Sequence, residues 1–288
     1  MKKLLFQLDT DPLPSAFDTV VAYDGGADRV IPYGNVAPDN VEAIVDGAIF
    51  TRSPKKKKNT AIFIGGSELA AGERLLDVVQ KRFFADFRVS VMLDSNGSNT
   101  TAAAAVALLC RAKSVADKRV VVLAGTGPVG QRAALYLTRE GARVLLTSRS
   151  LARAEQACEL LATRYGADVT PTQVSDEQSM RAGLDCAEIV FAAGAAGVQL
   201  LSETQWQQHS TIEMLADVNA TPPLGIEGID MMDKGAERHN KLTFGAIGLG
   251  TLKLRLHRTC VAKLFTDQNQ LFDAETIYAV AKSLLEEA

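Results

Sequence analysis

The chain has 288 residues, 47% hydrophobic and 23% charged, which suits two domains of ordinary size and excludes a disordered or fibrous chain. A formal net charge of −3 at pH 7 supplies no basic field for nucleic acid or an anionic membrane surface, and no DNA-reading motif is present. No stretch reaches transmembrane length, the apolar run near Met1 is too short for a signal peptide, and the four cysteines (Cys110, Cys158, Cys186, Cys260) stand singly without Cys-x-x-Cys spacing, so a cytoplasmic protein with no metal site is expected.

Residues 4–8 read as a short strand, 17–22 as a second element of unassigned type, and 61–64 as a strand ending at Gly65-Gly66. Between them Lys55-Lys-Lys-Lys58 reads as a solvated loop, with steering of an anionic substrate as the alternative. Leu69, Leu75, Leu76, Val79 and Phe83 recur at helical spacing and predict a helix over 69–83. Residues 87–93 predict a strand running into Asp94-Ser-Asn-Gly-Ser-Asn-Thr-Thr101, a polar segment rich in N-cap residues that leads into a helix over 102–110. At a domain boundary such a segment offers hydroxyls, amides and a helix N-terminus to a polar substrate, plain helix capping being the alternative.

From residue 120 the pattern is that of a doubly wound domain. Strands are expected at 120–124, 143–146, 189–192 and 212–216, and helices at 131–140, 151–165 and 176–184. Gly245-Ala-Ile-Gly-Leu-Gly250 then precedes Leu252-Lys-Leu-Arg-Leu-His-Arg258, and a last helix over 274–285 puts Ile277, Val280, Ala281, Leu284 and Leu285 on one face. The expected architecture is α/β throughout. An N-terminal α/β substrate domain (1–101 plus 259–288, closed by the last helix) accompanies a Rossmann-type domain with a doubly wound parallel sheet (102–258), with a cleft between them.

The strand at 120–124 runs into Gly125-Thr-Gly-Pro-Val-Gly130, the glycine pattern of a dinucleotide turn. Gly125 permits the sharp turn, Gly127 lets backbone approach a pyrophosphate, and Gly130 lets helix and strand pack closely, with Thr126, Pro128 and Val129 completing the cradle. Where an NAD-selective site ends its second strand in Asp or Glu, this chain has Thr147-Ser148-Arg149-Ser150 and then Arg153. With no carboxylate to repel it, a 2′-phosphate finds Ser148 and the planar fork of Arg149, so NADP is favoured and NAD stays open. Tyr278 and Lys282 mimic the Tyr-x-x-x-Lys of short-chain reductases, but the glycine pattern is not that family's and both residues fall in the amphipathic last helix.

Six segments together resemble one family: Phe6-Gln-Leu-Asp-Thr-Asp11, Tyr23-Asp-Gly-Gly-Ala-Asp28, Met92-Leu-Asp-Ser-Asn-Gly-Ser-Asn-Thr-Thr-Ala-Ala103, Leu123-Ala-Gly-Thr-Gly-Pro-Val-Gly130, Asn219-Ala-Thr-Pro-Pro-Leu-Gly-Ile226 and Leu252-Lys-Leu-Arg-Leu-His-Arg258. The family is that of the NAD(P)-dependent methylene-tetrahydromethanopterin dehydrogenases of methylotrophic bacteria, some of which also use methylene-tetrahydrofolate. The resemblance implies hydride transfer from a methylene bridge to nicotinamide in one-carbon metabolism, leaving a methenyl amidinium cation. No proton leaves in that step, so alignment and exclusion of water replace a general base.

The resemblance further implies Lys253 as the catalytic, substrate-side residue. A protonated lysine close to the cation would oppose it, so its expected task is hydrogen bonding the pterin's polar edge. An exposed position on an alternating strand 252–256 is the alternative for Lys253, and a structural role the alternative for His257. Asp94, Ser95, Asn96, Asn99 and Thr100 carry over as substrate-binding residues, the Tyr23-to-Asp28 turn as a weaker member. Ala193 and Gly194 resemble a nicotinamide-side loop, with Asn219 near the carboxamide. The folate-specific bifunctional relatives carry a Tyr-x-x-x-Lys motif in the first domain. This chain has none there, so cyclohydrolase activity is not expected. A homo-oligomer is implied, with a trimer as one candidate state. Rival readings are an NADP-dependent carbonyl or shikimate-type reductase and a non-catalytic dinucleotide sensor.

Overall fold

Apolar runs bounded by turn residues become the strands of two sheets, one in each of two units. A computed structural model describes residues 1–287. The first unit comprises Met1–Thr100 and Leu254–Leu284, the second Thr101–Lys253 and the residues from Leu285 on. The chain re-enters the first unit between Lys253 and Leu254, earlier than the expected 258/259 boundary.

In the first unit β1 (Leu4–Asp9), α1 (Ala16–Asp24), β2 (Arg29–Tyr33), α2 (Glu42–Phe50), β3 (Thr60–Gly65), α3 (Leu69–Arg82) and β4 (Ser90–Leu93) follow one another. With the late β12 (Leu271–Phe272) they build a sheet of order β12-β4-β3-β1-β2 in which every pairing is parallel. Every residue of β3 is buried, as a central parallel strand requires. Leu75, Leu76 and Val79 of α3 join Ile62, Ile64, Val91 and Leu93 in the core. The element of unassigned type is α1, capped by the Ser15 hydroxyl, which accepts from the Asp18 amide.

Two expectations for this unit are corrected. The strand expected from 87 begins only at Ser90, because Phe87 pairs back on Phe84 across a tight reversal with Ala85 at φ 41°. The lysine run is not wholly solvated: it forms a 3-10 turn, Pro54–Asn59, that buries Lys57. Its ammonium donates to the Asp86 carbonyl at 2.8 Å and lies 3.8 Å from the Phe87 ring centre. Burial holds it below the usual lysine range.

The helix α4 (Ser98–Ala112) leads into the second unit. There follow β5 (Arg119–Leu123), α5 (Pro128–Arg139), β6 (Arg143–Ser148), α6 (Leu151–Tyr165), β7 (Val169–Gln173), α7 (Glu177–Leu184), β8 (Ile189–Ala192), α8 (Glu203–Trp206), β9 (Met214–Asp217), β10 (Lys234–Arg238), β11 (Lys241–Phe244) and α9 (Ala246–Leu264), with α10 (Ala274–Glu286) closing the chain. The sheet order is β10-β11-β9-β8-β5-β6-β7, parallel except for the β10–β11 hairpin. Since β6 and β8 flank β5 on opposite sides, strand order reverses at β5, the Rossmann-type arrangement.

The glycine-rich segment before Lys253 is no separate loop, and the alternating strand 252–256 does not form; both lie in or at the start of α9. The glycines are there for proximity. A Cβ on Gly245 would sit 2.1 Å from the Asp230 carbonyl, and one on Gly248 2.0 Å from that of Asp233. Only bare backbone lets the start of the helix lie against the 230–233 turn.

Candidate functional site

The turn after β5 is built from three glycines with different neighbours. A Cβ on Gly125 would meet Leu146 Cγ at 2.6 Å, and one on Gly130 would meet the Gly125 backbone at 2.6–2.8 Å. These two let strand, turn and helix touch. At Gly127 the nearest atom to such a Cβ is the Ala124 carbonyl oxygen, 4.0 Å away. That side is open, and no packing of the fold explains the missing side chain. Gly127 caps α5 without any side-chain hydrogen bond, and Pro128 opens the helix. The first-turn amides therefore point at a space suited to an anionic ligand. Gln131 Nε2 stiffens the turn by donating to the Thr126 carbonyl at 2.8 Å.

Beside the turn lies a cavity of about 650 Å³, within the usual range for small-molecule sites. Its wall brings together Thr126, Ser148, Arg149, Arg153 and Gly194 from the expected cofactor set. Gly125, Gly127, Pro128, Val129, Gly130, Ala193 and Asn219 do not line it. Asn219 is buried in its own loop, its Nδ2 donating to the Pro223 carbonyl at 3.1 Å and its Oδ1 accepting from the Thr221 amide at 2.9 Å. Just before it, Asp217 accepts from the Asn219 and Ile226 amides, both at 3.0 Å. Burial pushes the Asp217 carboxyl above its usual range against those bonds. A further wall of Val174, Asp176, Met180 and Leu200 escaped the sequence reading. Its signal was the end of β7, a strand with a proline at its centre. Both acids in the wall are engaged locally. Asp176 is held below the usual carboxylate range by hydrogen bonds from Ser179, and Glu177 pairs with Arg181 at 2.9 Å.

In the first unit the polar segment after β4 is largely inward-facing. Asp94, Ser95, Asn99 and Thr100 are fully buried, while Asn96 is exposed at φ 55°. Asp94 accepts from the Thr100 amide at 3.0 Å and the Thr100 hydroxyl at 2.6 Å, Asn99 donates to the Leu93 carbonyl, and the Ser95 hydroxyl faces the Gly65 carbonyl at 3.4 Å. These bonds satisfy the start of α4 and brace it to the sheet. His257 is also fully buried, stacked on Phe63 with ring centres 5.5 Å apart, its Nδ1 3.8 Å from Asp94 Oδ2. Lys253 is half-buried in α9, one turn before His257 on the same face. In the Tyr23-to-Asp28 turn the Asp28 side chain accepts from the Lys3 amide at 2.7 Å, so the turn braces the amino end of β1, whereas Asp94 follows the carboxyl end of β4.

Among the described residues no His, Cys, Asp and Glu side chains gather as a metal site, and no helix is long and apolar enough to cross a membrane.

The family model for methylene-tetrahydromethanopterin dehydrogenase, N-terminal, matches residues 16–96. A protein of Methylorubrum extorquens named bifunctional protein MdtA is 56% identical over 285 residues, 98% of this chain and 99% of its own. The NAD(P)-dependent methylenetetrahydromethanopterin dehydrogenase of the same organism is 31% identical over 277 residues, 93% of each chain. Among solved structures, quinate dehydrogenase from Corynebacterium glutamicum in complex with NAD superposes with a TM-score of 0.56 at 14% identity, covering 98% of this chain and 99% of that one. The 5-ketofructose reductase of a Gluconobacter species gives 0.55 at 16%, covering 99% of each. At such identities these two likenesses concern the fold alone. The near full-length likeness to the Methylorubrum proteins goes further: this chain belongs to the methylene-tetrahydromethanopterin dehydrogenase family.

Proposed function

We propose that the chain oxidises methylene-tetrahydromethanopterin to the methenyl form with NADP, or NAD, as acceptor, and takes methylene-tetrahydrofolate as a second substrate, in one-carbon metabolism. The observation that carries this reading is the open side of the turn at Gly127, next to a cavity walled by Ser148 and Arg149, in a chain with relatives of equal length in this family. When bound, NADP supplies the acceptor for the hydride.

Gly125, Thr126, Gly127, Pro128, Val129 and Gly130 hold the pyrophosphate through the amides that open α5. Ser148, Arg149 and Arg153 hold the 2′-phosphate; Arg149 is exposed at the cavity wall, where its fork can make paired bonds. No carboxylate ends β6 to exclude it. Ala193, Gly194 and Asn219 form the nicotinamide side. Gly194 is close-packed, since a Cβ there would meet Leu200 Cδ1 at 2.8 Å. On the pterin side Lys253 donates a hydrogen bond to the polar edge of the ring, and Asn96 contacts the substrate from a loop held by Asp94, Ser95, Asn99 and Thr100. Loss of a hydride turns the methylene bridge into an amidinium whose charge both nitrogens share. The protein therefore aligns, excludes water and moves no proton.

We also place the protein in the cytoplasm, where its four free cysteines suit a reducing environment. The homo-oligomer, with a trimer as one state, rests on the resemblance and is measured by light scattering. The decisive experiment follows reduction of NADP and of NAD at 340 nm (roughly, the reduced nicotinamide band) with each methylene-pterin. Formation of NADPH is expected. Folded protein that forms neither NADPH nor NADH with either pterin refutes the proposal.

A further inference from the structure

The second unit carries another cavity, of about 600 Å³, at the end of its sheet opposite the glycine turn. Its wall is made by residues 207–210 after α8, by Ile212 and Glu213 where β9 begins, and by the tip of the β10–β11 hairpin. Strands β9 and β11 run parallel to β5, so this is the amino-end face of the sheet, whereas the turn at Gly127 follows a carboxyl end. Nothing in the hydride-transfer reading uses this face.

Lys241, the first residue of β11, lines this cavity and is only 7% exposed. Among the described residues its ammonium has a single hydrogen-bond partner, the His209 carbonyl at 2.7 Å, and no carboxylate within ion-pair distance. Burying an ammonium without a counter-charge is costly, and lysine is rarely buried unless paired. Burial accordingly holds Lys241 below the usual lysine range. Its cross-strand partner in register is a second cation, Arg238, which occupies both oxygens of Asp233 at 2.6 and 2.8 Å. The Thr243 hydroxyl and the Asp230 amide donate to the same carboxylate at 2.7 and 3.1 Å, so Asp233 is fully engaged. Of the two acids in the wall, Glu213 is neutralised by Lys113 at 2.5 Å and Lys118 at 2.8 Å. The other, Glu237, is in register with Leu242 and projects from the opposite face of the hairpin. Negative charge is what the cavity lacks.

We infer that this cavity binds an oxyanion, the phosphate or carboxylate group of a small metabolite, with Lys241 as its ion-pair partner. Gln207, Ser210 and Asn240 supply neutral donors in the same wall. The His209 ring has a fixed sense: the Thr211 hydroxyl is committed as donor to the Ala187 carbonyl at 2.6 Å, so in the 3.3 Å contact between Thr211 and His209 the imidazole Nδ1–H donates. In the neutral ring Nε2 is then left to accept from a ligand hydroxyl. The hairpin tip is set in advance. His239 and Asn240 both stand at positive φ, 48° and 60°, a form of two-residue turn that favours Asn-Gly. A histidine in that conformation is strained, and it is held there by Glu203, which accepts from Nε2 at 2.8 Å, and by Trp206, with ring centres 5.3 Å apart. A wall fixed before binding lowers the ordering cost of taking up a ligand.

The test is calorimetric titration of the full chain with inorganic phosphate and, separately, with succinate, in both cases with NADP at saturation so that neither anion registers beside the glycine turn. One-site binding of at least one of the two, with a Kd of about 1 mM or tighter, is expected; which of them binds tells a phosphate-bearing metabolite from a carboxylate. Lys241→Gln keeps a donor for the His209 carbonyl but removes the charge, and it is expected to weaken that binding about ten-fold or more. Ser210→Asp, at an exposed position of the wall, supplies a competing negative charge and is expected to do the same with the fold intact. It serves as the independent variant if Lys241→Gln does not fold. A parent that binds neither anion overturns the inference. So does binding that the folded variants leave within about two-fold of the parent.

Discussion

Replacing Gly127 and Gly130 by alanine separates what the turn does for the fold from what it does for a ligand. At Gly130 the new methyl would lie 2.6 Å from Gly125 Cα and 2.7 Å from its carbonyl oxygen. Both are backbone atoms with no flexible end to move aside. Relieving contacts about 1 Å too short means shifting the turn, at a cost of roughly 1–3 kcal/mol. In a chain this long that is a melting temperature lower by about 2–10 °C. At Gly127 the methyl meets nothing nearer than 4.0 Å, and φ is −75°, which alanine adopts freely. Stability should therefore hold, with the melting temperature within about 1 °C of the parent. The methyl nonetheless occupies the side from which a pyrophosphate approaches, so the Kd for NADP should rise roughly 10–100-fold. Calorimetric titration with NADP and thermal melting without it give the two readings. Gly130→Ala should lose on both and Gly127→Ala on binding alone. A Gly127→Ala protein that binds NADP like the parent would show that the diphosphate does not lie over this turn.

Arg149→Ala should raise the KM for NADP about ten-fold and leave that for NAD unchanged, since only the 2′-phosphate uses the guanidinium; equal effects on both coenzymes would remove Arg149 from that role. Lys253→Ala should lower kcat/KM for the methylene-pterin roughly 10–100-fold with NADP affinity intact in the same titration. Asp233 provides the pH test. Burial would raise its carboxyl, but hydrogen bonds from Arg238 at 2.6 and 2.8 Å and from Thr243 at 2.7 Å outweigh it and hold the group below the ordinary value of 3.8. A lowered folded value means stability that is present above about pH 4 and is lost as pH falls through the folded value. Asp233→Asn should therefore melt several degrees lower at pH 7, about 1–3 kcal/mol, and the gap to the parent should close below about pH 4. A gap independent of pH would refute the ionic contribution.

What was legible in the sequence follows burial. The central strands β3, β5 and β8 are continuous apolar runs and could be read directly, as could α6, whose bounds match expectation to the residue. Two edge strands were missed for one reason. β2 and β7 each carry a proline at an inner position, Pro32 and Pro171, which argues against a strand unless one flank needs no donor. Missing β7 hid the cavity wall that follows it. The glycines before Lys253 could be given no element type, because sequence does not reveal that a carbonyl stands 2.0 Å from a would-be Cβ. The glycine turn, Ser148 and Arg149 were legible because backbone approach and charge are properties of residue type. Polar residues after β4 left ligand binding and helix capping both open, since serine, asparagine and aspartate serve either use, and only burial separates the two. Exposure of Phe17 lies beyond any sequence pattern, since an aromatic at the start of a helix reads as core.

The outer strands of both sheets also govern how copies of the chain can meet. β2 and β7 lack an amide at Pro32 and Pro171, β12 has only two residues, and β10 slips register between Lys234 and Ala236. Each margin is thereby a poor template for another strand. Growth of fibrils by strand addition is disfavoured at all four margins, so each sheet keeps its own strands when copies of the chain collide.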